Sequence, residues 1–141
     1  MQAAFVVGRL IVGLYYLLSG VSGLLNVGMM SGYAASKGIP APAAAVVVSH
    51  LLLILAAACI LSGWKPAVGV AALVLFFLPV TFKMHAFWAD SDPGMKMNDM
   101  IHFLKNLALM GSALRFLGIP QPWRWSRGPG ASAPVAPRTA A

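Results

Sequence analysis

Apolar residues fall in four long stretches, at residues 10–30, 43–63, 67–83 and 100–118, and the short segments between them together with the C-terminal segment hold most of the proline and charge. None alternates as a half-buried strand does, and a helix of about 20 residues is what a hydrocarbon core about 30 Å thick requires. The pattern predicts an all-α fold, an integral membrane four-helix bundle over residues 1–122. A disordered tail rich in Pro, Ala, Gly and Ser is expected over residues 123–141. The first stretch is too long for the core of a signal peptide and is followed by no small-x-small cleavage pattern, so it reads as a span.

Polar residues inside these stretches are few, which makes their placement informative. His102, Lys105, Asn106 and Leu109 follow i, i+3, i+4, i+7 spacing and share one helix face. Lys105 has a stem long enough to reach the membrane surface, whereas the amide of Asn106 needs a partner within the bundle. His50 lies about two turns into the second stretch, Ser19 and Ser22 lie late in the first, and Lys83 and His85 close the third. If the helices alternate in direction, all of these groups meet near one end of the bundle. The candidate ligand pocket is therefore His50, Lys83, His85, His102, Lys105 and Asn106, with Tyr16, Phe87 and Trp88 as aromatic walls. Gly13, Gly20 and Gly23 fall near one stripe of the first helix and predict a close-packing seam.

Composition and charge narrow the setting. The chain of 141 residues is 60% hydrophobic and 9% charged, whereas a soluble domain is about 45–50% apolar and about 25% charged. Lipid is the expected partner of this surface. The net charge of +7 comes from basic residues scattered singly, with no stripe able to follow phosphates, so no nucleic-acid partner is expected. Basic residues fall mainly near one set of span ends, which predicts both termini on the cytoplasmic side of the inner membrane. Asp90, Asp92 and Asp99 are the only acids; they occupy the opposite loop and are read as solvated. Cys59 is the single cysteine, so neither a disulfide framework nor a CxxC pair can form within the chain. His85, Asp90, Asp92 and His102 lack the spacing of a metal motif, and histidine pairs alone are weak grounds for haem.

Four pieces carry a resemblance: "GRLIVGLYYLLSGVSGLLN" at residues 8–26, "GIPAP" at 38–42, "KMHAFW" at 83–88 and "FLKNLALMG" at 103–111. Together they make the chain resemble the DoxX/DoxD-like family of small four-helix membrane proteins. Gly23 stands where that family's pattern usually has lysine, and His50 where it often has glutamate. A paired loss of both charges is the expected reason. The resemblance implies support of quinone-linked redox chemistry or a response to oxidative or quinone stress, with a quinone as the expected ligand and no catalytic residue transferable. The alternative is a non-catalytic scaffold or assembly subunit for a partner oxidoreductase, the chain itself forming a homo-oligomer in some settings. A small-solute transporter is less favoured because no inverted repeat is evident.

Overall fold

The computed structural model describes residues 2–123 and is all-helical. Five α-helices follow in order: α1 (Gln2–Leu25), α2 (Val27–Ser36), α3 (Pro42–Ser62), α4 (Pro66–Pro79) and α5 (Pro93–Leu114). Of the expected tail over residues 123–141, all but Trp123 lies outside the described residues, and Trp123 itself is buried. The first apolar stretch forms two helices because Asn26 leaves helical geometry at φ −118°, ψ 31° while its amide donates to the Ser22 carbonyl at 2.8 Å. Asparagine competes for backbone partners in this way more readily than the apolar residues around it. Helix α1 also begins well before residue 10.

Helices α1, α3 and the segment running from α4 to Ala89 are each long and apolar enough to cross a membrane. Helix α5 has the length but is interrupted by Lys96, Asp99, His102, Lys105 and Asn106. The outward faces carry large apolar side chains, including Leu18 at 68% and Leu75 at 61% exposure. Water would penalise that surface and lipid does not.

Lipid supplies no hydrophobic drive for helix association, so α1 and α3 are held together by close packing. They run antiparallel, with Gly13 facing Leu61, Gly20 facing Ile54 and Gly23 facing His50. A Cβ added at Gly20 would lie 2.7 Å from Ile54 Cγ1 and 3.1 Å from the His50 carbonyl oxygen. The carbonyl belongs to helix backbone and cannot yield. Gly20→Ala is expected to destabilise the protein by about 1–3 kcal/mol, the usual cost of overpacking. Thermal unfolding in detergent micelles checks this, and an unchanged midpoint would show that the seam is looser than described.

Two turns combine a left-handed residue with proline. Ala41 and Lys65, at φ 46° and 47°, each directly precede the proline that starts α3 or α4. A following proline disfavours right-handed helical geometry, so the chain turns there and the next helix begins at once. At the far end of α4, Pro79 lacks an N–H and crowds the preceding turn. The helix widens into a π-helical turn over Val80–Met84 before a short 3-10 turn at Phe87–Ala89. Asp92 then caps α5, its carboxylate accepting from the Met95 N–H at 2.8 Å.

The buried core runs along α1, α3 and α4 through Tyr16, Leu53, Ile60, Leu73 and Phe77. At the end holding the start of α1, the rings of Phe5, Phe116 and Trp123 pack at 5.2–6.3 Å between centroids and tie α1 to the end of α5.

Candidate functional site

The opposite end of the bundle gathers charge. The π-helical turn delivers His85, the turn after α2 delivers Lys37, and the first turns of α5 deliver Asp99 and His102. Lys37 Nζ lies 2.6 Å from Asp99 Oδ2 and 3.3 Å from Asp90 Oδ1. The other Asp99 oxygen, Oδ1, is 3.1 Å from His85 Nδ1. The His85 ring stacks on that of His102 at 4.9 Å with 20° between planes. The Lys105 ammonium donates to His102 Nδ1 at 2.8 Å, which makes that nitrogen the unprotonated one.

Asp99 is 3% exposed. Burial opposes its ionisation, but the hydrogen bonds from Lys37 and His85 outweigh it and hold the carboxyl below its ordinary range. Lys37 is held above its ordinary value, chiefly by the Asp99 hydrogen bond and against partial burial. Asp90 Oδ2 is buried without a hydrogen-bond partner among the described residues.

Two cavities adjoin this cluster, and His85, Phe76 and Val80 line both. The larger, of about 270 Å³, is mostly apolar and also bounded by Tyr33, Val46, His50 and Met84. The smaller, of about 160 Å³, is bounded by Tyr16, Ser19, Phe77 and Asn106. Tyr16 is 1% exposed, and its hydroxyl has no hydrogen-bond partner among the described residues. Such a group is costly to bury without a partner. His50 Nδ1 sits 2.7 Å from the Val46 carbonyl, so that nitrogen donates and Nε2 is left as an acceptor facing Gly23.

The residues singled out from sequence thus divide. Tyr16, Ser19, His85 and Asn106 meet at the smaller cavity, and His50 shares the larger with His85. His102 reaches the site through its stacking on His85. Lys83 and Lys105 are exposed, and neither lines a cavity. The π-helical turn sets the phase that brings His85 inward and leaves Lys83 outward. Phe87 and Trp88 pack edge-on around Phe103 at 5.5 and 5.7 Å, again away from the cavities.

Lys37, Asp90, Asp99 and Tyr33 were not among the sequence candidates. The available signal was scarcity. A chain with three acids and a largely apolar surface has strong reason to pair each with a cation, and Asp99 stands one helical turn before His102. No group of three or more His, Cys, Asp or Glu residues is arranged to hold a metal among the described residues.

An apolar helical bundle with three helices long enough to cross a membrane, and a buried polar cluster beside two cavities at one end, defines a small membrane protein. The DoxX family model matches residues 4–86, more than half of the chain, and the protein belongs to that family. No curated protein sequence and no solved structure gives a significant match. The family match ends just past His85, so Asp99, His102 and Asn106 come from outside the matched segment.

Proposed function

We propose that this DoxX-family protein is a four-span inner-membrane protein, both termini cytoplasmic, that binds a quinone-like ligand at the outer end of its bundle and supports redox chemistry there. In this reading α5 from residue 100 onward supplies the fourth span, admitted because Asn106 is buried within the bundle and the long stem of Lys105 reaches toward the membrane surface. The observation that carries the proposal is the unpartnered Tyr16 hydroxyl, buried at a cavity that His85, itself bonded to Asp99, also lines.

The cavities suit a head-and-tail molecule. The smaller offers Tyr16, Asn106 and Ser19 to ring oxygens, and the larger offers apolar walls to a hydrocarbon tail. A quinone would supply the two-electron, two-proton couple. With His85 Nδ1 donating to Asp99, His85 Nε2 is an acceptor able to take a proton from a ring hydroxyl, and Asp99 holds the imidazole in that tautomer. Cys59 is the single cysteine and is buried, so electrons enter from a substrate or a partner oxidoreductase. A scaffold role without ligand binding is the second reading, and it rests on that same lack of an internal electron carrier.

Short-chain benzoquinones titrated against the protein in micelles test the proposal. The expected result is a concentration-dependent rise in thermal midpoint. Tyr16→Phe should weaken binding about three- to tenfold, the worth of one hydrogen bond. No quinone-dependent shift, with a partner enzyme co-purifying, would favour the scaffold.

A further inference from the structure

Arg9 belongs to neither cavity, and no described residue neutralises it. It is 2% exposed, and its Nε and Nη1 are buried without a hydrogen-bond partner among the described residues. Its guanidinium carbon lies 5.9 Å from the Phe5 ring centroid and 5.8 Å from that of Trp123. Aromatic faces attract the cation but accept none of its directional N–H bonds in the way an oxygen does.

The chain has three acids, and all are engaged at the far end. Asp90 and Asp99 hold Lys37, and Asp92 caps α5. From Asp99 to Phe116, which packs beside Trp123, α5 extends about 25 Å at 1.5 Å per residue. No aspartate of this chain can reach Arg9 across that distance. Lys65, before α4, and Arg115, after α5, stand at the same end as Arg9 and add to the positive potential there.

We propose that Arg9 is the centre of a phosphate-binding site for an anionic phospholipid headgroup at this end of the bundle. The planar guanidinium matches phosphate oxygens by paired N–H bonds, and the Phe5–Trp123 sleeve fixes its orientation while excluding competing water. Lys65 and Arg115 favour a lipid of net negative charge over a zwitterionic one. The site is independent of the quinone cavities, which lie at the other end.

The experiment compares full-length protein in neutral detergent with added phosphatidylglycerol, phosphatidylcholine or inorganic phosphate. Phosphatidylglycerol should raise the thermal midpoint at lower concentration than phosphatidylcholine. Arg9→Gln should weaken phosphatidylglycerol binding about tenfold, the loss of a charge-assisted bond, while the response to benzoquinone persists. An equal response to inorganic phosphate would assign the site to a free anion and overturn the lipid as occupant. If Arg9→Gln does not fold, native mass spectrometry of the unsubstituted protein decides. Preferential retention of phosphatidylglycerol over phosphatidylcholine supports the site; equal retention of both lipids overturns it.

Discussion

Asp99→Ala is expected to be among the most damaging single substitutions in this protein, lowering stability by about 3 kcal/mol or more. The carboxylate is 3% exposed and receives both Lys37 and His85. Removing it leaves a partly buried ammonium whose remaining partner, Asp90, is at 3.3 Å rather than 2.6 Å. The loss should reach function as well, because His85 would no longer be held in the tautomer that turns an acceptor toward the cavity. The pH dependence has a defined sign. Asp99 is shifted down, so its contribution is present above the ordinary aspartate range near about 4 and disappears as pH falls through the lower folded value. Lys37 is shifted up, so its contribution holds below the ordinary lysine value near about 10 and disappears as pH rises through the higher folded one. Unfolding midpoints from pH 3 to 7 should therefore fall on the acid side for the native sequence and lack that component in Asp99→Asn. Indistinguishable curves would show that the cluster is ornamental to stability.

Gly23→Lys should be nearly as damaging alone, and much less so beside His50→Glu. A Cβ at position 23 would overlap the imidazole of His50, so any side chain there must displace the ring. Overpacking of this kind costs about 1–3 kcal/mol, and the unpaired ammonium adds to it. Glutamate at position 50 would remove the ring and supply a counter-charge, recreating the lysine and glutamate that the family resemblance leads one to expect. A double-mutant cycle by thermal unfolding should give a coupling of about 2 kcal/mol or more in favour of the double variant. Additive losses would mean that the two positions changed independently, despite their contact.

The contact between positions 23 and 50 was legible before any coordinates because it joins two departures from a pattern. Periodicity likewise placed Asn106 and His102 on one face, and apolar length located the helices. The Lys37–Asp99 pair was not legible in this way. It bridges residues 62 positions apart in the chain, with Lys37 in a turn where no helical period applies. The break at Asn26 depends on a side chain bonding its own helix backbone, a choice that apolar content does not report. Lys83 and His85 looked equivalent as neighbours at a span end. Only the π-helical turn separates them.

That turn also makes the site depend on chain length more than on residue identity at this point. Each residue of an α-helix rotates the next by about 100°, and the π-helical turn at Val80–Met84 absorbs one residue more than a regular turn would. Deleting a single residue there would turn His85 into the place Met84 now holds, which does not line the smaller cavity, and no substitution at His85 itself could restore it. The segment works as a counting device: the exposed Phe82 and Lys83 can change in character, whereas their number cannot.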